Sequence, residues 1–221
     1  MPRVTDEYLE NKRRQIVDAA YNVCLRKPVE MVTISDVIAE TGMSQGAIYR
    51  YYSGLDEILT DMSTKLREEY NIIDRLEAII NDHGLSIEDA TYQVCDLLAE
   101  AMETHLTDIQ KINFDLGVLA INEPQRAAVI QSGIKGTGNL EYLQKYAMPA
   151  LIGGALSSGY ELAGSPEEIA QFIYSSYTGI EKYCILSACY VTGEQKVKAE
   201  PRKLFRTLAK TILLLIGGKE R

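Results

Sequence analysis

The chain contains 221 residues, of which 46% are hydrophobic and 24% charged, and its formal net charge at pH 7 is −8. This length can bury one sizeable core or two modest ones, and the composition is that of a globular protein. Charged residues soon follow Met1, where a signal peptide would be apolar, and no apolar run approaches the roughly 20 residues that span a bilayer. We therefore predict a cytoplasmic helical protein that does not enter a membrane.

The net negative charge of the chain comes entirely from its larger, C-terminal part. Residues 1–55 contain seven Lys or Arg and seven Asp or Glu, whereas the remainder contains 16 basic and 24 acidic residues and carries the whole −8. Some basic residues of the neutral segment are candidates for salt-dependent contacts with phosphates: Arg3, Lys12, Arg13 and Arg14. The alternative for these residues is a solvated helix face with ion pairs.

The first predicted element is a helix over residues 6–26. Thr5 can cap its start, and Pro28 follows its end, just after two basic residues that suit the negative end of a helix. Its inward face is an apolar stripe at helical spacing: Leu9, Ile16, Val17, Ala20 and Cys24.

The next segment has the pattern of a helix-turn-helix. Thr33 and Asp36 have the spacing of a capping box, in which the hydroxyl accepts from a free amide at the start of a helix. Gly42 can adopt the positive φ of a sharp turn, and Ser44 then caps a second helix, predicted over residues 45–52. Helix, short glycine turn and helix is the arrangement whose second helix lies in a DNA major groove.

The second helix of this pattern has one inward and one outward face. Ala47, Ile48 and Tyr52 can face the small core. The other side is covered by Gln45, Tyr49, Arg50 and Tyr51. A glutamine amide can pair with adenine, and a tyrosine hydroxyl or an arginine can hold a phosphate. Gly46 and Ala47 carry little bulk, so the backbone can lie close to the groove. Ser53 and Asp56 repeat the capping spacing and are predicted to open a third helix.

The motif at residues 33–59 is TISDVIAETGMSQGAIYRYYSGLDEIL, which resembles the helix-turn-helix of the TetR family of bacterial transcriptional regulators. The resemblance extends from Thr5 to Leu59. It implies DNA contacts by Thr33, Ser44, Gln45, Gly46, Ala47, Tyr49, Arg50 and Tyr51. The family usually has a lysine at the position of Leu55, so the phosphate contact of that lysine is not carried over. It often has histidine at Tyr51, whose hydroxyl can still donate to a phosphate.

The same resemblance implies an all-α fold of about nine helices. We expect a helix-turn-helix DNA-binding domain of three helices at residues 1–55 and a larger helical effector-binding and dimerisation domain at residues 56–221. Apolar periodicity and capping signals predict helices over residues 56–80, 86–103, 107–121, 124–162 with a bend at 132–138, 165–191 and 201–216.

The last two helices are implied to pair with their copies as a four-helix bundle. Candidate interface residues form one stripe on each helix: Ile169, Ile173 and Ile180 on the first, and Leu204, Leu208 and Ile212 on the second. The alternative is that these stripes are buried within the same chain. A dimer would place two recognition helices about 34–36 Å apart on a palindrome.

The larger domain is also expected to hold a signal-receiving site. The chain contains fourteen tyrosines and three phenylalanines. Tyrosines can form an aromatic pocket wall whose hydroxyl groups orient a small ligand. The candidates are Tyr92, Cys95, Met102, Phe114, Tyr142, Tyr146, Tyr174, Tyr177 and Glu181. The alternative for each is ordinary core or dimer interface. Asp115 or Glu181, if buried without a partner, would indicate a cationic ligand.

The residues with catalytic chemistry do not form a recognisable site in the sequence. The histidines are His83 and His105, with no nucleophile–base spacing, metal cluster or phosphate loop around them. No C-x-x-C spacing occurs, so the cysteines are expected to be buried thiols in a reducing cytosol: Cys24, Cys95, Cys184 and Cys189. We predict no enzyme, no catalytic residue, no metal and no cofactor.

The resemblance implies a homodimeric repressor that a small-molecule effector releases from a palindromic operator in double-stranded DNA. Two alternatives stay open. One is a ligand-dependent activator. The other is a helical protein-interaction module that does not read DNA, which suits the acidic larger segment.

Overall fold

The computed structural model of the protein describes residues 6–189 and 199–217. These residues form helices joined by turns and short loops, and no β-strand occurs among them. The all-α prediction is confirmed. Arg3, Thr5, the side chain of Cys189 and the predicted helix end at residue 191 lie outside what the structure describes.

The α-helical segments are, in chain order, α1 Asp6–Arg26, α2 Ile34–Thr41, α3 Gln45–Ile48, α4 Leu55–Glu69, α5 Ile73–Ile80, α6 Ile87–Thr104, α7 Lys111–Asn122, α8 Pro124–Gly133, α9 Asn139–Tyr142, α10 Met148–Ser157, α11 Pro166–Cys189 and α12 Pro201–Leu215. A 3₁₀ turn, Val29–Met31, precedes α2. Turns of π-helix, Leu106–Gln110 and Leu143–Ala147, precede α7 and α10.

The helices pack into two compact units, and each unit is built from two separate stretches of chain. The first unit comprises Met1–Tyr70 and Lys111–Gly136, and the second comprises Asn71–Gln110 and Thr137–Arg221. The first unit therefore contains α7 and α8 in addition to α1 to α4. The predicted division into a DNA-binding domain and an effector domain after residue 55 is a functional one and stays a prediction.

The start of α2 is a complete capping box with an added ion pair. The Thr33 hydroxyl oxygen accepts from the Asp36 N–H at 3.3 Å, and the Asp36 carboxylate accepts from the Thr33 N–H at 2.8 Å and from its hydroxyl at 2.7 Å. The Lys27 ammonium donates to the same carboxylate at 2.7 Å. The hydrogen bond from Lys27, followed by those from Thr33, lowers the pKa of Asp36 to about 2. The stability that the ionised Asp36 carboxylate contributes is fully present above the ordinary Asp pKa and is lost as the pH falls towards 2.

The second helix of the motif is shorter than predicted. Gly42 turns the chain with a φ of 66°, and the Ser44 hydroxyl oxygen accepts from a backbone N–H in the first turn of α3 at 3.3 Å. The α-helix then ends at Ile48, and a tighter turn follows in which the Tyr51 N–H donates to the Ile48 carbonyl at 2.9 Å. The helix predicted over residues 45–52 is thus α-helical only in its first half.

The third helix of the motif begins with a contact that differs from the predicted one. The Ser53 N–H and hydroxyl donate to the Glu57 carboxylate at 2.7 and 2.9 Å, and α4 begins at Leu55. The predicted cap between Ser53 and Asp56 is wrong because the Asp56 carboxylate accepts from the Arg126 guanidinium of α8 at 2.8 Å. This ion pair joins α8 to α4 within the first unit.

The single helix predicted over residues 56–80 is also wrong, since it is divided into α4 and α5. The Asn71 side-chain oxygen accepts from the Ile73 N–H at 2.6 Å, and the Asn139 side-chain oxygen accepts from the Ile72 N–H at 3.1 Å. Side-chain oxygens therefore replace helix carbonyls as acceptors at the break. Apolar periodicity carries no information about such acceptors.

The later helices follow the predicted order with adjusted ends. The bend predicted within residues 132–138 is confirmed as the loop between α8 and α9. The helix predicted to continue to residue 162 ends at Ser157, and Gly159 follows with a φ of 79°. Each unit has its own apolar interior. In the first unit the buried side chains include Ile16, Val37, Ile48, Tyr52, Ile58, Leu59, Met62, Ile112, Leu119 and Ile130.

We expect Thr33→Ala to lower the free energy of unfolding by about 1 kcal/mol, because one amide of α2 loses its acceptor. Urea unfolding followed by circular dichroism measures this change. Ser35→Ala is the matched control, since Ser35 is an exposed residue in the same helical turn and is expected to change stability by less than about 0.5 kcal/mol. Equal losses in the two variants would contradict the importance of the cap.

Candidate nucleic-acid interface and ligand cavity

The helix-turn-helix presents a small polar surface outside a buried apolar side. Ile48 and Tyr52 are buried, as predicted, while Ala47 and Tyr51 are partly exposed. The exposed members of the predicted DNA-contact set are Thr33, Ser44, Gln45, Gly46, Tyr49 and Arg50. The structure therefore brings the predicted residues to one accessible segment, and their contact with DNA stays a prediction.

A hydrogen-bond network fixes the end of this segment. The Tyr52 hydroxyl donates to the Asp61 carboxylate of α4 at 2.9 Å, and burial, reinforced by this hydrogen bond, raises the pKa of Tyr52. The Arg13 guanidinium of α1 donates to the Tyr51 carbonyl at 2.7 Å and lies 4.8 Å from the centre of the Tyr52 ring. Arg13 thus holds the segment after α3 by a hydrogen bond and a cation–π contact.

Some basic side chains of residues 6–50 form ion pairs within the protein, and others do not pair with any described acid. Arg26 pairs with Glu40, and Lys27 pairs with Asp36. Within this range, the basic side chains with no ion pair to a described acid are Lys12, Arg14 and Arg50. The Lys12 ammonium donates to Gln15 at 3.0 Å. Of the predicted phosphate candidates, Lys12 and Arg14 therefore remain available, whereas Arg13 is occupied.

The second unit contains a cavity of about 550 Å³ that opens to the surface. This volume lies within the range of ligand-binding pockets. Its walls come from the end of α5, the first half of α6, the segment from α9 to α10, α11 and α12. Most lining side chains are aliphatic, and the principal ones are Ile79, Ile80, Leu85, Ile87, Val94, Leu98, Leu140, Leu143, Met148, Leu151, Ile173, Leu208 and Ile212. The polar ones are Asp82, His83, Ser86, Thr91, Gln144, Gln171, Tyr174 and Tyr177.

The cavity includes some of the predicted pocket residues and leaves others elsewhere. Those in its walls are Cys95, Tyr174 and Tyr177. Those outside its walls are Tyr92, Met102, Phe114, Tyr142, Tyr146 and Glu181. Aromatic content guided the prediction, and the aliphatic majority of the wall was missed because its periodicity is identical to that of ordinary core.

The residues outside the cavity have identifiable roles or positions. Met102 is fully buried in the apolar core of the second unit. Tyr142 belongs to a smaller cluster with Leu76, and its ring lies 5.3 Å from that of Tyr146, which is 57% exposed. Phe114 lies on α7 and thus belongs to the first unit.

The predicted dimer stripe is largely internal to the chain. Buried in the core of the second unit are Ile169, Ile173, Leu208 and Ile212, while Ile180 and Leu204 are partly buried. Same-chain burial, the alternative left open by the sequence, therefore applies to the four buried residues. A different set of side chains is exposed on α11, including Phe172 and Tyr183 at 50% and 44% exposure.

Two acidic residues bear on the charge of a ligand. The Asp115 carboxylate accepts from the Lys111 ammonium at 2.8 Å, and the same ammonium donates to the Cys24 carbonyl at 2.9 Å. Asp115 is therefore paired and gives no indication of a cationic ligand. Burial raises the pKa of Glu181 to about 7. Near neutral pH a large fraction of this carboxyl group is neutral, which lowers its need for a counter-cation.

The described residues contain buried cysteine thiols but no metal-binding cluster. Cys24, Cys95 and Cys184 are buried free thiols, and burial raises the pKa of Cys24 and Cys95 to about 12. No group of three or more His, Cys, Asp or Glu side chains in these ranges could hold a metal ion. Among the helices described, none is both long enough and apolar enough to cross a membrane.

The helix-turn-helix segment is similar to a known family of regulators. Residues 16–62 match the family model for bacterial regulatory proteins of the tetR family. The chain is 26% identical over 131 residues to the uncharacterized HTH-type transcriptional regulator YfiR of Bacillus subtilis, a match that covers 59% of this chain and 62% of the relative. It is 34% identical over 112 residues to the HTH-type transcriptional regulator PksA of the same organism, covering 51% of each. The chain thus matches between about half and three-fifths of the length of these curated relatives.

The fold is similar over a longer range. The structure of the fatty acid degradation regulator FadR from Bacillus halodurans superposes with a TM-score of 0.61, covering 95% of this chain and 97% of that one at 16% identity. At this level of identity the likeness concerns the fold alone.

We expect Glu181→Gln to raise the free energy of unfolding at pH 8 by about 1–3 kcal/mol. The folded-state pKa of Glu181 lies above its unfolded value, so ionisation favours the unfolded chain as the pH rises from about 4 to 7. The gain is therefore largest above pH 7 and nearly absent at about pH 4. Urea unfolding across this pH range measures it, with the exposed Glu167→Gln on α11 as control. A gain independent of pH would contradict the assignment.

Proposed function

We propose that this chain, whose residues 16–62 match the tetR family model, is a sequence-specific DNA-binding transcriptional regulator of that family. In this proposal a homodimeric repressor binds a palindromic operator and is released by a small-molecule effector. The observation that carries it is the exposure of Gln45, Tyr49 and Arg50 around α3, behind which Ile48 and Tyr52 are buried.

The proposed contacts with DNA follow from the chemistry of this surface. Gln45 is the first residue of α3 and is exposed, so its amide can reach a base edge in the major groove. Tyr49 and Arg50 are exposed just after α3 and can contact phosphates. At Gly46 an added Cβ would meet no protein atom within 4 Å, which leaves room for close approach of a duplex. Leu55 supplies no charge where the family usually has a lysine.

A homodimer is proposed through the exposed face of α11. Phe172, Ser176, Gly179 and Tyr183 follow one another at spacings of four, three and four residues, so they lie on one side of the helix. The two small residues permit close approach of a second helix, and the two aromatic residues supply apolar area. Leu214 of α12 is 57% exposed and is a candidate to extend this surface. Pairing of two copies would place two α3 segments on successive turns of a palindrome.

Release by an effector is proposed to begin in the cavity of the second unit. A ligand that fits this cavity better in one conformation of the protein shifts the population towards that conformation. If that conformation binds DNA less tightly, the ligand weakens DNA binding, and DNA weakens ligand binding by the same factor. The conformation that is competent for DNA binding must therefore be the one that the ligand disfavours.

Selection of random duplex DNA by the full chain tests the central proposal. We expect enrichment of a palindrome whose half-sites are one helical turn apart. Absence of any enriched sequence in both low-salt and moderate-salt selections would support the protein-interaction module instead.

We expect Gln45→Ala to weaken binding to the selected site by about 5- to 150-fold and to leave binding to unrelated DNA unchanged, because it removes a base contact. Arg50→Ala is expected to weaken binding to the selected site and to unrelated DNA alike, because it removes a phosphate contact. It is also expected to reduce the slope of log affinity against log salt concentration by about 1. Fluorescence anisotropy at several salt concentrations measures both effects. Gln125→Ala, an exposed glutamine of α8 in the same unit, is the control. Unchanged specific binding by Gln45→Ala would contradict the proposed contact.

For the dimer, we expect the double variant Phe172→Glu, Tyr183→Glu to sediment as a monomer at concentrations where the unaltered chain is a dimer. The change replaces apolar area with like charges that face each other across a two-fold axis. Leu156→Glu on α10 is the control, since Leu156 is similarly exposed at 50%. A dimer that persists in the double variant and dissociates in the control would place the interface elsewhere.

A further inference from the structure

The walls of the cavity are almost free of charge. Asp82 and His83 lie in the turn between α5 and α6, and both are exposed, which places them at the mouth. Apart from Asp82, no Lys, Arg, Asp or Glu side chain of residues 6–189 and 199–217 lines the cavity. An ion moved into such surroundings loses its hydration without gaining a partner. The lining therefore disfavours ligands whose charged group must enter the cavity.

The Tyr177 hydroxyl lies in the wall without a hydrogen-bond partner among the described residues. The ring of Tyr177 packs edge-on against that of Phe205 at a centroid distance of 5.9 Å, which fixes its position in the core. Its hydroxyl makes no hydrogen bond to any described residue, and no fully buried side-chain nitrogen or oxygen atom in those ranges lacks a partner. The hydroxyl must therefore retain contact with open space, and the cavity is the space that Tyr177 lines. Burial raises the pKa of Tyr177, so the hydroxyl stays protonated and can donate a hydrogen bond.

The other polar groups of the wall include a second tyrosine, the exposed glutamines Gln144 and Gln171, and hydroxyl groups that are already engaged. Tyr174 precedes Tyr177 by one turn of α11, and both line the cavity. The Thr91 hydroxyl donates to the Ile87 carbonyl of α6 at 2.7 Å, so its proton is not available to a ligand. A ligand that enters this cavity therefore meets tyrosine donors on α11 and a mostly aliphatic wall, with the uncharged amides of Gln144 and Gln171 at exposed positions.

We propose that the cavity binds an uncharged, largely aliphatic molecule with a carbonyl acceptor, of the ketone or ester class, whose oxygen accepts a hydrogen bond from Tyr177. This inference rests on the proposed function in that the bound molecule is the effector of the regulator. A carboxylate or phosphate group finds no cation in the wall and meets Asp82 at the mouth. A quaternary ammonium group finds no carboxylate beyond the mouth, because Glu181 is not part of the wall.

Three probes with similar alkyl chains and different head groups test this class. N-phenyl-1-naphthylamine, an uncharged fluorophore, is bound to the full chain and displaced by 2-decanone, decanoate or decyltrimethylammonium. We expect 2-decanone to displace the fluorophore at concentrations at least 10-fold lower than those needed by either ion. Equal or stronger displacement by decanoate or by the ammonium compound would overturn the proposed class.

Two neighbouring glycines of α10 locate the binding. Gly154 lines the cavity and Gly153 is exposed, and an added Cβ at either position meets no atom within 4 Å. We expect Gly154→Leu to abolish binding of the ketone by filling the cavity, while Gly153→Leu leaves it unchanged. Equal binding by both variants would show that the probes bind elsewhere and would overturn the site.

The hydrogen bond is tested by removing one oxygen atom. We expect Tyr177→Phe to weaken binding of 2-decanone by about 3- to 10-fold. Its affinity for the naphthylamine, which has no carbonyl group, is expected to stay the same. Tyr183→Phe, at an exposed tyrosine of the same helix, is the control. Unchanged affinity for 2-decanone in Tyr177→Phe would overturn the role of this hydroxyl.

The ligand class and the regulatory function fail separately in these experiments. The displacement assay contains no DNA, so its result does not depend on operator binding. If 2-decanone binds as expected and leaves the complex with selected DNA intact, the ligand class stands and release by this ligand is contradicted. If the chain binds selected DNA and none of the probes enters the cavity, DNA reading stands and the ligand class is overturned.

Discussion

The anchoring of a four-residue helix from both ends is the constraint on which the exposed surface of the helix-turn-helix depends. Isolated helices of this length are unstable in water, because nucleation costs more than one or two hydrogen bonds return. Ser44 therefore caps the start of α3, and the buried ring of Tyr52 holds the segment that follows it. Arg13 joins the two by donating to the backbone between them. Arg13, which the sequence offers as a candidate for phosphate contact, is thus a structural part of the motif.

Local signals in the sequence predicted the elements that are determined by neighbouring residues. The capping box at Thr33, the positive φ of Gly42 and the cap at Ser44 depend on atoms within three or four positions, and all are present. Long-range partners could not be predicted in the same way. Asp56 has suitable spacing for a cap and bonds to Arg126, 70 residues away, while Asn139 accepts from the Ile72 N–H at the break between α4 and α5. Each of these residues has several possible partners, and only the tertiary structure selects one.

The apolar stripes show why core, interface and cavity cannot be separated by periodicity. Ile173 and Leu208 satisfy helical spacing equally well as dimer contacts, and the structure buries both inside the chain beside a cavity. The exposed face of α11 is less hydrophobic because Ser176 and Gly179 interrupt it. A search for apolar residues at helical spacing therefore does not identify this face as an interface. Tyr177 combines a ring packed against the core with a hydroxyl that has no partner among the described residues and lines the cavity. That combination depends on the absence of a partner, which the sequence does not record.

The interrupted course of the first compact unit has a consequence for the exchange of segments between proteins of this fold. The chain leaves this unit after Tyr70 and returns at Lys111, whose ammonium bonds to the Cys24 carbonyl. A hybrid that joined residues 1–70 to the remainder of another family member would have foreign side chains at the positions of Ile112 and Ile130, which are buried in this unit. Recombination by a single crossover would therefore cut through a hydrophobic core. The unit that contains the helix-turn-helix can be exchanged cleanly only if α7 and α8 are transferred together with α1 to α4.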